Sequence, residues 1–172
     1  MSKLVAGMAG LMIAMGMPVA AGAAVLGPDA AVCNGNSPAI LVHVEGLKKR
    51  SGTLRVQSYG GNPKHYFDKG SYLRRIDVPV PASGPVDICV KVPAAGAYAV
   101  SVRHDVDGSG KTGMEDGGGM SGNPRLSLFD VLFKRKPDPQ RVQIEVAGMT
   151  KVSVVMNYVK GGSFGPVAMA AR

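Results

Sequence analysis

Short runs of alternating apolar and polar residues, separated by glycine- and proline-containing turns, restrict this chain to a β-rich fold. A strand directs successive side chains to opposite faces, so alternation marks a strand with one buried face. The pattern predicts seven strands, over residues 40–45, 53–59, 73–80, 86–92, 97–103, 141–146 and 151–158. Seven short strands joined by tight turns predict an antiparallel β-sandwich, with an eight-stranded barrel as the alternative.

The chain divides into four regions of unequal length. Its 172 residues fit one domain, and its 24 glycines and 12 prolines are enough for many tight turns. We expect a signal peptide over 1–23, an extended lead-in over 24–38, the sandwich over 39–159 and a C-terminal tail over 160–172. Within the sandwich, the first two strands are expected to pair as a hairpin.

One apolar segment of the sandwich does not alternate. Residues 126–133 place their large apolar side chains at helical spacing, at Leu126, Phe129, Leu132 and Phe133. This spacing predicts either a helical turn or an irregular packed segment.

The N-terminus has the three parts of a secretory signal peptide. Lys3 supplies the positive charge, residues 4–17 form an apolar and glycine run, and residues 21–23 match a small-x-small cleavage pattern. The run is shorter than the about 20 residues that a membrane-spanning helix needs. We therefore expect a periplasmic or secreted protein with no transmembrane anchor after processing, and a retained anchor is the alternative.

The two cysteines, Cys33 and Cys89, are expected to form one disulfide. In an oxidising compartment an isolated pair is most simply bonded, and neither cysteine has a histidine or second cysteine at metal-ligand spacing. Alternation places Cys89 on the strand face opposite Ile88 and Val90. The disulfide should therefore tie the lead-in to the outside of a sheet.

The chain is basic, with a formal net charge of +8. Its basic clusters, at 48–50, 74–75 and 134–136, are short, scattered and placed in predicted turns or at strand ends. A nucleic-acid surface needs such clusters on one face with aromatic residues between them, so we expect no nucleic-acid partner. Attraction to an anionic envelope surface is compatible with this charge.

The stretch 104–123 interrupts the strand pattern and holds the candidate binding site. A calcium loop has oxygen ligands at its first, third, fifth and twelfth positions, glycine at the sixth and a carbonyl ligand at the seventh. Counted from the first aspartate, these positions are Asp105, Asp107, Ser109, Asp116, Gly110 and Lys111. The spacing predicts a Ca²⁺ site of sub-millimolar or weaker affinity. The twelfth position lacks the usual glutamate, and no flanking helices are predicted.

Two other interpretations use the same residues. The first is a metal-free loop in which Asp and Ser side chains bond nearby backbone N–H groups. The second pairs His104 with Asp105 as an acid and a base. Adjacent strand residues point to opposite faces, so this pair should not meet. His104 is expected to be a structural histidine that bonds the backbone of the loop.

The segment 96–111, G-A-Y-A-V-S-V-R-H-D-V-D-G-S-G-K, resembles a known family of small exported bacterial proteins. The family is domain-of-unknown-function family 2141, and the similarity also includes the V-E-G-L of 44–47, the strand at 52–56 and the Asn-Tyr of 157–158. It covers about residues 39–159. The resemblance implies an exported β-sandwich of immunoglobulin-like or prealbumin-like character. It implies no activity, because the family has none established.

Three functions are compatible with these features. The first is a non-enzymatic envelope binding or accessory module, whose 104–123 loop is stabilised by Ca²⁺ and meets an envelope protein or glycan. The second is a hydrolase or lyase that uses Asp105, Asp107 or Asp116 with His104, which requires a pocket at the loop. The third is a structural or adhesive module that pairs through its sheet edges.

Overall fold

The computed structural model describes residues 24–167, which form a two-layer β structure. The predicted signal peptide, 1–23, lies outside the described residues. The strands are β1 (Val25–Leu26), β2 (Ala39–Glu45), β3 (Thr53–Gly60), β4 (Arg74–Pro79), β5 (Asp87–Lys91), β6 (Gly96–Asp105), β7 (Gly117–Met120), β8 (Ile144–Val146), β9 (Met149–Val155), β10 (Asn157–Lys160) and β11 (Ser163–Pro166). Two short helices, α1 (Leu128–Leu132) and α2 (Pro139–Val142), precede β8. In this part of the chain no helix is long and apolar enough to cross a membrane.

The strands form two separate sheets, which confirms the predicted all-β sandwich and excludes the barrel for residues 24–167. One sheet has the order β1-β5-β2-β9, and the other has the order β11-β10-β7-β6-β3-β4 with β8 also paired to β6. Most pairings are antiparallel, but β1 with β5 and β2 with β9 are parallel. The main core contains the inward residues of both sheets, among them Ile40, Leu54, Ile88, Val100 and Met156.

The predicted hairpin of the first two strands is wrong. β2 pairs with β5 and β9 in the smaller sheet, whereas β3 pairs with β4 and β6 in the larger one. The turn between them therefore crosses from one layer to the other, and Gly46 begins it with φ +72°. Alternation reports that each strand has a buried face, but it does not report which neighbour lies beside the strand.

The last two predicted strands also differ from the structure. Only Ile144–Val146 of the segment 141–146 forms a strand, because α2, which Asp138 caps, begins at Pro139 and includes Val142. The segment 151–158 is divided at Met156, whose N–H donates to the Glu45 carbonyl. β9 belongs to the smaller sheet and β10 to the larger one.

Two strands occur where the sequence predicted none. β11 lies in the expected tail and pairs antiparallel with β10. β7 consists of Gly117-Gly118-Gly119-Met120 and pairs with β6 and β10. An ideal Cβ on Gly117 would lie 2.3 Å from Tyr158 Cε1, and one on Gly119 would lie 2.6 Å from Val154 Cγ1. The glycine run therefore lets β7 pass directly against buried side chains.

The lead-in is partly helical rather than extended. It contains β1 and a 3-10 helix, Ala30–Asn34. The structure contains the expected disulfide between Cys33 and Cys89, 56 residues apart. These cysteines and Ala39 form a buried cluster apart from the main core. The disulfide thus lies on the outer side of the smaller sheet, as the parity of Cys89 predicted.

Asp29 fastens the lead-in to both sheets. The Arg74 guanidinium donates from Nη2 to Asp29 Oδ1 at 2.8 Å and from Nε to Oδ2 at 2.9 Å. The Lys91 N–H donates to Oδ2 at 3.1 Å. Arg74 belongs to β4 and Lys91 to β5, so one carboxylate joins strands of the two layers. Burial alone would raise the pKa of Asp29, but Arg74 and Lys91 hold it below its ordinary value.

Asp29→Asn should lower the free energy of unfolding at pH 7 by about 2 kcal/mol, because a buried carboxylate loses the charge that pairs with the partly exposed Arg74. At pH values above 3.8, the ordinary pKa of an aspartate, the ionised Asp29 stabilises the fold in full. This contribution is lost as the pH falls toward the lowered pKa of the folded state. Urea melts of wild type and variant should therefore converge below about pH 4. Asp77→Asn, on an exposed carboxylate with two arginine partners, should change stability by less than about 0.5 kcal/mol. Equal losses at the two sites would contradict the assignment.

Candidate functional site

The candidate loop joins two paired strands of the larger sheet. β6 ends at Asp105 and β7 begins at Gly117. In the antiparallel register His104 lies opposite Gly117. Asp105 and Asp116, the next residues outward, are therefore brought together at the neck of the loop. Both are buried.

Asp105 folds the first half of the loop through backbone hydrogen bonds. Its Oδ1 accepts from the Ser109 N–H at 3.1 Å, and its Oδ2 accepts from the Gly110 N–H at 2.8 Å. Gly110 has φ +75°, the conformation that the calcium-loop spacing required of a glycine. The loop thus turns around its first carboxylate.

Asp116 accepts backbone hydrogen bonds in the second half of the loop, and Asp107 accepts one at its tip. Asp116 Oδ1 accepts from the Val106 N–H at 3.1 Å, and Oδ2 accepts from the Gly113 N–H at 2.9 Å. Asp107 is exposed, and its Oδ1 accepts from the Ser109 N–H at 3.0 Å. The Ser109 N–H and hydroxyl lower the pKa of Asp107. These are the Asx-type bonds of the metal-free interpretation, and they leave carboxylate lone pairs free.

The structure brings the three predicted carboxylates into one cluster. Asp105, Asp107 and Asp116 each offer an oxygen, and these three atoms all lie within 4.8 Å of one another. The other two predicted ligands are tied to each other, since the Ser109 hydroxyl donates to the Lys111 carbonyl at 3.3 Å. Glu115, the fourth acid of the loop, points elsewhere and pairs with Lys48 at 2.7 Å. The cluster is a group of oxygens suited to a hard cation.

Arg103 is the site residue that the sequence analysis missed. Its Nη2 donates to Asp105 Oδ2 at 3.0 Å and to the Lys111 carbonyl at 2.9 Å. The same atom lies 3.9 Å from Asp116 Oδ2. The guanidinium therefore contacts oxygens that the calcium spacing assigns to the metal. A signal existed in the sequence, because Arg103 and Asp105 are two residues apart and so share a strand face.

His104 does not face this cluster. It is fully buried, its Nδ1 lies 2.6 Å from the Tyr158 hydroxyl and its Nε2 lies 2.8 Å from the Ser51 carbonyl. Burial raises the pKa of Tyr158 to about 12. The Ser51 carbonyl can only accept, so Nε2–H donates to it, and in the neutral ring Nδ1 then accepts from the Tyr158 hydroxyl. His104 is structural as predicted, but it bonds the 46–52 turn rather than its own loop.

A cleft of about 370 Å³ lies on the larger sheet, and Arg103 lines it, but none of the three clustered carboxylates does. Its walls come from β6, β7, β10, β11, the α1 region and the loop after β3, and they include Phe67, Met120, Val131 and Phe164. The hydrolase or lyase interpretation required a pocket at the carboxylates and a histidine facing them. His104 faces away from them, and this cleft does not contain them.

Comparison with known proteins gives one match. No curated protein and no solved structure matches the chain. The family model described as "Uncharacterized protein conserved in bacteria (DUF2141)" matches residues 42–154. The match runs from β2 into β9 and includes the whole candidate loop. It confirms the resemblance found in the sequence, and the chain therefore belongs to the DUF2141 family.

Proposed function

We propose that this protein is a non-enzymatic binding or accessory module of the bacterial envelope whose 105–116 loop binds Ca²⁺. The observation that carries the proposal is the cluster of Asp105, Asp107 and Asp116, with oxygens within 4.8 Å of one another. Three carboxylates at this distance repel one another, by about 1 kcal/mol per pair even in water. Arg103 compensates one charge, and a divalent cation would compensate the rest.

The chemistry of the donors favours Ca²⁺ over a transition metal. The nearby groups are carboxylate, hydroxyl and carbonyl oxygens, with no cysteine or histidine among them. Ca²⁺ accepts six to eight oxygens in irregular geometry, whereas Mg²⁺ demands near-octahedral coordination. Asp107, at the exposed tip, can complete the site together with water.

The envelope location and the binding role are supported by other parts of the chain. The sequence carries the pattern of a signal peptide, and the Cys33–Cys89 disulfide is the kind of bond that persists in oxidising compartments. The loop is a polar excursion between two paired strands, and it exposes its tip, as recognition loops commonly do. An envelope protein or glycan is the partner class that we propose for it.

Addition of about 10 mM Ca²⁺ should raise the melting temperature by about 5 °C over a chelator-treated sample. A cation bound only by the native state stabilises it by an amount that grows with concentration. The measurement is a thermal melt in Ca²⁺, in the same concentration of Mg²⁺ and in chelator. An unchanged midpoint in Ca²⁺ would remove the cation from the proposed function.

Two isosteric variants of the same loop give the matched comparison. Asp107→Asn keeps the oxygen that accepts from the Ser109 N–H but loses the charge. Its melting temperature in chelator should therefore equal that of wild type, and most of the increase caused by Ca²⁺ should be lost. Glu115→Gln removes a charge that is paired with Lys48 outside the cluster, so it should keep the shift. A shift that is the same in both variants would indicate general charge screening.

Arg103→Gln separates a metal loop from a loop built around a guanidinium. Because Arg103 Nη2 contacts Asp105 and the Lys111 carbonyl, its loss should lower the midpoint in chelator. The freed oxygens should then bind Ca²⁺ about tenfold more tightly, so the Ca²⁺ shift should become larger than in wild type. Equal destabilisation with and without Ca²⁺ would favour the metal-free loop.

A further inference from the structure

The most exposed apolar surface of the described chain is the tip of α1. Phe129, Leu132 and Phe133 are 68%, 63% and 68% exposed. They are spaced i, i+3 and i+4, so they share one face of the helix. The Phe129 and Phe133 rings lie parallel, with centroids 6.3 Å apart. We call these three residues the apolar tip.

Local bonds hold the apolar tip outward. The Ser127 side chain accepts from the Asp130 N–H, and the Asp130 carboxylate accepts from the Ser127 N–H, which completes a capping box. Val131, on another side of the helix, lines the cleft against the larger sheet. The helix is therefore fixed in the orientation that presents its largest side chains to solvent. Exposed aromatic and aliphatic groups that cluster in this way mark an interaction surface.

Basic residues border the apolar tip. Arg125, Lys134 and Arg135 are exposed. Lys136 is also exposed, but it pairs with Asp68 at 2.7 Å. Asp130 is the one acid within 125–136, and its carboxylate is engaged by Ser127. The surface next to the tip therefore carries an excess of positive charge.

We propose that the apolar tip and its basic border dock the protein onto an anionic phospholipid bilayer. Apolar side chains of a short amphipathic element insert at the boundary of headgroups and acyl chains, while Lys and Arg meet the anionic headgroups. The tip projects outward and its charge complements such a surface. This docking is independent of the cation loop, because the residues involved lie outside 105–116.

The test is co-sedimentation with lipid vesicles in about 0.1 M NaCl with chelator present, so that Ca²⁺ plays no part. Vesicles of phosphatidylcholine containing about a quarter phosphatidylglycerol should bind the protein at least about tenfold more strongly than phosphatidylcholine alone. The exported, purified protein is used, and every variant has the same N-terminus. Binding that is equal on both vesicle types would overturn the proposal.

Variants separate the tip from the general charge of the protein. The triple change F129S/L132S/F133S and the double change K134E/R135E should each lower binding by about tenfold or more. Leu73→Ser removes an apolar group that is 51% exposed away from the tip, and it should leave binding unchanged. Binding that survives the triple change would overturn the proposal. So would self-association in sedimentation velocity that the triple change abolishes, with no vesicle binding by wild type.

Discussion

Alanine at Gly117 or Gly119 should lower the melting temperature of this protein by about 10 °C, corresponding to about 3 kcal/mol. A Cβ at Gly117 would lie 2.3 Å from the Tyr158 ring, which is 1% exposed and hydrogen-bonded to His104. A Cβ at Gly119 would lie 2.7 Å from the Val155 carbonyl oxygen. A buried ring and a strand backbone have no room to retreat, so the substitution must separate β7 from its neighbours.

The middle glycine of the run supplies the matched control. A Cβ at Gly118 would have the Val102 carbonyl oxygen as its nearest neighbour, at 3.9 Å, an ordinary contact. Gly118→Ala should therefore melt within about 2 °C of wild type. Thermal melts of the three variants, followed by circular dichroism, are sufficient. If Gly118→Ala is as damaging as Gly117→Ala, backbone flexibility rather than space is what the run provides.

The glycine run forms a strand, β7, that the alternation pattern could not predict. Strands β2 to β6 could be predicted because alternating Val, Ile and Leu side chains report a buried face. β7 has glycine at three of its four positions, so it carries no such pattern. Its position depends on Tyr158 and Val154, which are distant in sequence. The break at Met156 was hidden for a related reason, since Val154, Met156 and Tyr158 remain buried while the chain changes sheets.

The carboxylates of the candidate site could be predicted from the sequence, but the full set of contacts made by Arg103 could not. Ligand spacing along a short loop is a local property, so it predicted that Asp105, Asp107 and Asp116 come together and that Gly110 has positive φ. The contact of Arg103 with Asp105 follows from their shared strand face, but its contact with the Lys111 carbonyl forms only after the loop has folded back over β6, so no sequence pattern shows it. Whether the cluster binds a metal depends on the balance between that guanidinium and the cation.

Replacement of both cysteines by alanine should lower the free energy of unfolding by roughly 4 kcal/mol, the entropy of closing a loop of this length in the unfolded chain. The loop between Cys33 and Cys89 contains β2 to β4 and the start of β5, so the unfolded chain without the bond gains freedom over a large part of the fold. Urea unfolding should show a lower midpoint and a steeper slope, because the unlinked unfolded state exposes more surface. An unchanged slope with an unchanged midpoint would contradict this account.

The disulfide and Asp29 should also be coupled, because both fasten the same lead-in. While the Cys33–Cys89 disulfide is intact, the 3-10 helix cannot leave the outer side of the smaller sheet. Loss of the Asp29–Arg74 pair then strains the lead-in, because this segment must stay in place. Without the disulfide, the lead-in can detach locally before the sheets separate. The loss in free energy of unfolding caused by Asp29→Asn should then be at least about 0.5 kcal/mol smaller in the cysteine-free protein than in wild type. A double-mutant cycle measures this difference. If the two losses in free energy of unfolding are additive, the disulfide and the Asp29–Arg74 pair stabilise independent parts of the fold.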